Sequence, residues 1–474
     1  MIARAEILRL ADTLGLEARV IEKDYVLGWV LHGITRDPVI GQKWIFKGGT
    51  CLKKCYFETY RFSEDLDFTV TDPAQLDAGF LLERFRTISA QLYDETGIEI
   101  PAELLRFKVW DNKRGKRAGE GKLAYRGPIA PRGRDLPRIK LDLTTDETLV
   151  LPPAIRPVVH PYSDVPADGM TARCYCFEEV FGEKVRALGE RARPRDLYDV
   201  INLFRNGEFR AAAAVIRDVV RQKCAFKSVS FPTLEILTTF RDELVGEWDN
   251  MLGHQLPALP PVESFWSALP EFFAWLTGTS TPIAVAAYPL AAGDRVLRAP
   301  AGAIRIPGRS TSAIEVIRFA GSNRLCVDLD YVDEQGRRST PTIEPYSLRQ
   351  TQAGDILLHA IRADDQQHRS YRIDHIQGAS VTNRSFAPRY EVELTPTGLL
   401  VAPESAPRIS TTGVWGYATG GRRKATTSGP VHVYRCPLCD KRFKHKTRDG
   451  TLRAHKNPQG WNCSGRRGIY EGTK

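Results

Sequence analysis

The sequence predicts a mixed α/β (α+β) chain of several domains, and three observations lead there. Residues 1–100 alternate helical patterns with short apolar strands. Residues 290–395 switch to period-two alternation broken by turn residues, the pattern of a small β-rich unit. The C-terminal end carries Cys436-Pro-Leu-Cys439 in a strongly basic setting. At 474 residues the chain also exceeds one ordinary core, which favours about two to four domains.

In chain order, MIARAEILRLADTLGLEARV reads as an amphipathic helix with charges throughout, neither a signal peptide nor a membrane span. KWIFKGGT is a strand entering a glycine turn, and DLDFTV is a second strand. Residues 111–137, rich in Arg, Lys and Gly, predict an exposed basic loop, and the strand RIKLDLT follows. PPAIRPVVHPYSD is a proline-punctuated connector. From Tyr175 to Leu203 the pattern is helical, with a second helix beginning at Arg193-Pro194. More helix over 210–278 closes a first domain, 1–280. Ile283 to Ala292 is apolar but too short to cross a bilayer. A β-rich domain over 290–400, a flexible polar linker over 403–430 and a small module over 431–474 complete the layout.

Nine cysteines, odd in number and mostly scattered, point to a reducing cytoplasm rather than a disulfide framework. The net charge of +10 is unevenly placed: residues 421–474 hold fourteen Lys/Arg against three Asp/Glu, so the rest of the chain is about neutral. A short tail of that charge suits a polyanion, nucleic acid first; a solubilising tail is the competing reading.

The chemistry lies in residues 47–67. Phosphoryl transfer asks the protein for divalent metal ions and for positive groups that position a triphosphate. Asp65 and Asp67 stand at i and i+2 of a strand and so share a face, where hard carboxylate oxygens suit two Mg²⁺. Upstream, Lys47-Gly48-Gly49-Thr50 offers backbone N–H groups to phosphate oxygens. A third carboxylate is expected on a neighbouring strand. Asp142 fits, flanked by Leu141 and Leu143; the alternative is a solvent-facing strand aspartate.

FKGGTCLKKCY followed by RFSEDLDF resembles the AbiEii-type nucleotidyltransferases, toxins of type IV abortive-infection toxin–antitoxin systems. Glu22-Lys23-Asp24-Tyr25, AYRGP, RIKLDLT and EKVRALGERARPRDLYDV extend the likeness over roughly 1–280. The resemblance implies a polymerase-β-type nucleotidyltransferase fold with a helical C-terminal part. It also implies transfer of NMP from an NTP to an acceptor hydroxyl, with RNA (tRNA) as acceptor, a cognate antitoxin and a phage-defence role. It makes Gly48, Gly49 and Thr50 the phosphate turn, with Lys47 and Ser63 beside it. Asp65 and Asp67 become the metal-binding pair, Asp142 the third acidic position, which completes the second metal site or takes the acceptor proton, and Lys184 the triphosphate contact. Arg195, Asp196 and Asp199 match its RDxxD block, with Asp196 joining Asp65, Asp67, Asp142 and Lys184 as catalytic and Arg195, standing where many relatives have lysine, as an NTP contact. Asp196 and Asp199 lie at i, i+3 on one helix face; a plain Arg195–Asp199 surface pair is the alternative for Asp199. Lys23 and Asp24 read as bracing residues.

Residues 314–376 resemble a WYL domain, a Sm-like β-barrel linked to ligand sensing. Ile356-Leu357-Leu358 replaces the naming tripeptide, and His375 stands where arginine is usual. Arg318, Arg338, Arg369 and Arg372 form a candidate basic pocket, or are separate solvated arginines. In the tail, Cys436 and Cys439 are followed after fifteen residues by His455 and after seven more by Cys463, a structural Zn²⁺ set. His445 competes with His455, which is preferred because TLRAH reads as helix, and Phe443 and Trp461 are expected to be exposed. The functional alternatives are a ligand-responsive regulator with a vestigial transferase domain, or an enzyme acting on a protein hydroxyl or another nucleotide.

Overall fold

The computed structural model describes the chain except residues 15, 58–60, 130–135, 206–212, 280–285, 290–293, 298–311, 395–431, 437–441, 446–451, 453–454, 457–461, 464–468 and 474. The described residues fall into two compact units, Met1–Ala406 and Pro407–Lys474. The expected linker, 403–430, lies outside the described residues.

The first unit begins with helices α1 (Arg4–Leu14) and α2 (Ala18–Arg36). Strand β1 (Trp44–Lys47) then runs into a short helix α3 (Gly48–Cys51) and a π turn over Leu52–Tyr56. Strand β2 (Asp65–Val70) returns antiparallel to β1, and α4 (Ala78–Thr96) follows. The ends of α4 are chemically explicit. Asp77 accepts from the Phe80 N–H at 2.9 Å, and Gly97 closes the helix at φ 74°, where a side chain would be strained.

Strands β3 (Arg106–Asp111), β4 (Arg117–Ala124), β5 (Arg138–Thr144), β6 (Ala154–Pro157) and β7 (Thr171–Cys174) complete a seven-stranded mixed sheet, ordered β3-β4-β5-β2-β1-β7-β6. The stretch read as a basic loop is thus largely a hairpin. Its alternation across the sheet is hidden by Gly119 and Gly121, which offer no side chain to mark the buried face. Gly121 is needed there, because a Cβ would come within 2.6 Å of the Phe107 ring.

Helices α5 (Phe177–Arg191) and α6 (Pro194–Arg205) follow, with the break at Arg193-Pro194 as expected. Then come α7 (Ala213–Lys227), α8 (Leu234–Thr238), α9 (Arg241–Gly246), α10 (Trp248–Leu252), α11 (Glu263–Trp266) and α12 (Leu269–Thr277). Their apolar faces share aromatic contacts, such as Phe181 stacked on Trp275 at 5.9 Å.

The β-rich stretch opens with β8 (Arg295–Val296) and helix α13 (Ser312–Ser322). Strands β9 (Leu325–Val332), β10 (Arg338–Ser339), β11 (Thr342–Gln350), β12 (Ile356–Arg362), β13 (His368–Arg372) and β14 (Ile376–Ser385) make a curved antiparallel sheet with β8. It is not set apart from the helical region, as the layout in the sequence suggested. The Tyr198 hydroxyl of α6 donates to Asn323 Oδ1 at 2.8 Å in a buried contact. One hydrophobic core runs through both parts.

The second unit pairs β15 (His432–Arg435) with β16 (Arg442–His445) and β19 (Ile469–Thr473). Separately, β17 (His455–Lys456) pairs β18 (Asn462–Cys463). Among the described residues no helix is long and apolar enough to cross a membrane.

One buried histidine makes the fold acid-sensitive. His160 sits against Gly28, where a Cβ would come within 2.2 Å of its Nδ1, and among Tyr25, Trp29 and Tyr162. Burial pulls its pKa from 6.5 down to about 4, although Asp164 (3.9 Å) favours the charged ring and Lys54 opposes it. The folded protein therefore holds His160 neutral while the unfolded chain protonates it. That stability is complete above pH 6.5 and is lost as pH falls toward 4. In His160→Gln, the slope of unfolding free energy against pH over this window should fall by up to ~1.4 kcal/mol per pH unit. Chemical denaturation at stepped pH measures it, and an unchanged slope contradicts the assignment.

Candidate active site

Strand register assembles the site. Asp67 pairs with Lys47 on β1 and with Asp142 on β5, and Asp142 pairs with Glu120 on β4. Opposed residues in a sheet share a face, so Lys47, Asp67, Asp142 and Glu120 form one rung. The neighbouring rung carries Asp65, Lys140, Lys122 and Arg106. Leu66, Phe68, Leu141 and Leu143 point the other way into the core. The three predicted carboxylates are thus on one face of adjacent strands.

The turn between β1 and β2 is held closely against them. Gly48 has φ +82°, and a Cβ there would come within 2.1 Å of Asp67 Oδ2, so glycine is required twice over. A Cβ on Gly49 would lie 2.6 Å from Arg61 Nη2 and 3.3 Å from Ser63 Oγ. Two side chains expected to touch a triphosphate are engaged elsewhere. The Lys47 ammonium is 3.0 Å from Glu147. The Thr50 hydroxyl donates to the Asp65 carbonyl at 2.5 Å, tying turn to strand.

Lys184 of α5 is 2.7 Å from Asp199 and 3.7 Å from Asp196, both on α6. Arg61 closes the group by donating through Nε and Nη2 to the two Asp199 oxygens at 2.7 and 2.8 Å. The surface-pair reading of Asp199 is therefore wrong: the residue is fully buried between two cations. Their charge holds its carboxyl far below the usual range against the penalty of burial. Asp196, expected among the catalytic residues, is fully buried as well. Its carboxylate takes two bonds from Arg191, at 2.7 and 3.0 Å, and stands behind Lys184. Arg195 is half-buried and donates to the Met251 carbonyl at 3.2 Å.

Lys23 meets Glu64 at 2.8 Å on the rim, while Asp24 is buried against Lys54 at 2.7 Å with a bond from Tyr162. Arg61, Glu120 and Lys140 escaped sequence reasoning. Arg61 stands four residues before Asp65 and was within reach; Glu120 needed the β4–β5 register.

The electrostatics fit cations. Burial pushes Asp67 up to about 6, with Asp142 and Asp65 adding to the shift against Lys47 and Lys184. Asp65 is raised for the same first reason, again with a contribution from Asp142. The carboxylate oxygens of the three acids do not all lie within 4.8 Å of one another. Asp142 instead bonds the Lys140 ammonium at 2.8 Å, a protein cation standing where an acid-rich face demands positive charge. Hard oxygen donors on rigid strands, under-neutralised by the protein, suit Mg²⁺. Beside them a cavity of about 470 Å³ is lined by Ser63, Glu64, Lys23, Tyr125, Arg138 and His254, with Leu16, Val20 and Leu256 among its apolar walls.

Elsewhere the sequence-based sites are less concentrated. Arg338 pairs with Asp330, Arg369 with Asp365, and Arg372 with Asp355 and Asp374, while Arg318 is buried near Glu315 on α13. These four arginines do not make one pocket, because each has a carboxylate near its own strand or helix. In the tail, most of TLRAH, expected as helix, lies outside the described residues; its His455 is on β17, directly opposite Cys463 on β18. His445 is on β16, opposite His432. Cys436 is buried with Tyr434 and Leu452, and Phe443 packs against them rather than lying exposed. Cys439 and Trp461 lie outside the described residues.

The family profile described as "Nucleotidyl transferase AbiEii toxin, Type IV TA system" matches residues 30–277, just over half of the chain. No curated protein sequence matches. Among solved structures, the chain is similar to MenT4, a nucleotidyltransferase toxin from Mycobacterium tuberculosis H37Rv. The identity is 19% over 58% of this chain and 90% of that one, with a TM-score of 0.39. It is also similar to proteasome accessory factor B/C of Arthrobacter aurescens, at 17% identity over 44% of this chain and 32% of that one, with a TM-score of 0.16. By the extent of the profile match, the chain belongs to the AbiEii family of nucleotidyltransferase toxins.

Proposed function

We propose that this nucleotidyltransferase uses two Mg²⁺ to transfer NMP from an NTP to a hydroxyl of RNA, with tRNA as the acceptor class. The observation that carries the reading is the rung joining Asp67 to Asp142, with Asp65 beside it on the same face. Asp65, Asp67 and Asp142 would hold the ions, which supply charge neutralisation at the transferred phosphoryl group. The backbone of Gly48 and Gly49 would cradle the triphosphate. Lys184, held by Asp199 and Asp196, and Arg195 would balance its charge, with Lys47 acting through Asp67 rather than on phosphate. The cavity bounded by Ser63 and Glu64 is large enough for the nucleoside.

An RNA acceptor is supported by the rest of that sheet face. Arg106 and Lys108 on β3, Lys122 on β4 and Arg138 on β5 are exposed, and they extend from the carboxylates toward the sheet edge. Trp110 continues the row on β3, 46% exposed, as a platform for a base. Basic strands with one exposed aromatic suit a single-stranded polyanion better than a protein hydroxyl.

The β-rich part reads as a WYL-type sensing module, coupled to the transferase through Tyr198 and Asn323. The intact acids and Lys184 favour enzyme over vestigial regulator. The family supports toxin action restrained by a cognate antitoxin, and phage defence is the role proposed for it. In the tail, Cys436, Cys439, His455 and Cys463 are proposed to bind one structural Zn²⁺, supported by the His455–Cys463 pairing.

Three outcomes follow. Label from NTP should pass to tRNA only with Mg²⁺, and Asp65→Asn or Asp67→Asn should lower the rate at least ~10³-fold, about 4 kcal/mol. Transfer that persists in both variants contradicts the reading. Asp67→Asn should also make the metal-free protein more stable at pH 7, by ~1–2 kcal/mol in urea denaturation, since the ionised group is disfavoured above pH 6. A less stable variant counts against the electrostatic account. Cys436→Ser should remove one zinc per chain by elemental analysis and weaken RNA binding, with a shallower salt dependence. Unchanged zinc content refutes the tail site.

A further inference from the structure

Behind the phosphate turn lies a second cluster of donors that the transferase chemistry does not use. Cys51 ends α3, Cys55 follows in the π turn, and Cys174 ends β7. All three are buried, at 0%, 4% and 0% exposure, and their sulfurs lie within 4.8 Å of one another. Among the described residues they are the one group of three His, Cys, Asp or Glu side chains that converge this closely. All three are free thiols.

The local backbone brings them together. Cys51 and Cys55 are four apart where the chain runs through a π turn, and such turns are uncommon and gather at functional sites. Cys174 arrives from β7, whose partner β1 leads directly into the phosphate turn. The Tyr56 hydroxyl stands 3.9 Å from Cys174 Sγ while donating to the Tyr175 carbonyl at 2.7 Å. The Arg156 guanidinium lies 4.9 Å from the centre of the Tyr56 ring, and its Nε donates to the Cys55 carbonyl at 3.4 Å. A fixed positive charge is therefore beside the cluster.

We infer that Cys51, Cys55 and Cys174 bind one thiophilic d¹⁰ metal cation, with zinc(II) as the probe. Zinc–thiolate bonds of ~2.3 Å in a tetrahedral set put sulfurs roughly 3.8 Å apart, within a small inward movement of the observed spacing. Binding releases three thiol protons to solvent. Three thiolates with one divalent ion leave a single negative charge, which Arg156 offsets. The ion ties α3 to β7 and so fixes the end of the phosphate turn, one residue beyond Thr50. A core that needed only small apolar volume here would be served by alanine or valine.

The test uses the full chain and reads metal, not activity, so it is independent of the transferase assignment. Wild type, Cys174→Val and the control Cys224→Ala, a buried cysteine outside the cluster, are dialysed against zinc and analysed for metal. Cys174→Val should hold one zinc per chain fewer than wild type, and the control should hold the same. To guard against misfolding of the variant, the cluster is also left intact and the tail is disabled by Cys436→Ser. That protein, titrated with Cd²⁺, should bind one ion with thiolate-to-metal ultraviolet absorption, and its melting temperature should rise. Equal zinc in wild type and Cys174→Val, absence of the absorption, or a disulfide among the three cysteines by mass overturns the inference.

Discussion

Like charges on neighbouring strands repel, and the transferase region is arranged around that repulsion. Asp65, Asp67 and Asp142 share a face of β2 and β5, with Glu120 beyond them on β4. In a sheet this spacing cannot relax, because register is fixed by the apolar side chains on the opposite face. Leu66, Phe68, Leu141 and Leu143 therefore dictate where the acids stand as firmly as the acids' own chemistry does. The cost is visible in Asp67, whose pKa is raised first by burial and further by Asp142 and Asp65, and in Lys140 leaning onto Asp142. Such a face is destabilising alone, and the divalent ions and polyphosphate proposed for it would relieve that cost.

The cations around the acids are themselves held in place. Lys184 is aimed by Asp199 and Asp196, and Arg61 grips Asp199 while crossing the Cα of Gly49. The glycine turn, α5 and α6 thus form one charged assembly rather than separate motifs. Because Asp199 is fully buried between two cations, removing Arg61 or Lys184 would leave buried carboxylate oxygen without its charge-assisted bond, a larger effect than the net worth of the pair. Tyr198, the residue before Asp199, bonds to Asn323, so the β-rich part touches this assembly directly. Any ligand that shifted α13 would act on the helix that positions Lys184.

Much of this was legible in the residues. Alternation at i and i+2 placed Asp65 and Asp67, and an acid between two leucines marked Asp142. What escaped is what depends on register or on partners remote in sequence. Glu120 looked like part of a loop because glycines on both sides hid the strand period. Lys47 and Thr50 have the right chemistry for phosphate, but Glu147 and the Asp65 carbonyl, remote in sequence, engage them first. His455 was read as the end of a helix, yet it pairs with Cys463 on β18, a partner that helical composition cannot reveal. The four arginines of the β-rich part were counted together by type, and only the fold shows that each faces its own carboxylate.

The most direct test is crystallographic: Mn²⁺ in place of Mg²⁺, with a non-hydrolysable NTP, and anomalous scattering to locate the ions. The account predicts manganese between Asp65, Asp67 and Asp142, with the triphosphate against Gly48 and Gly49 and Lys140 released from Asp142. Manganese elsewhere, or a nucleotide bound away from that turn with Lys140 still on Asp142, would contradict it.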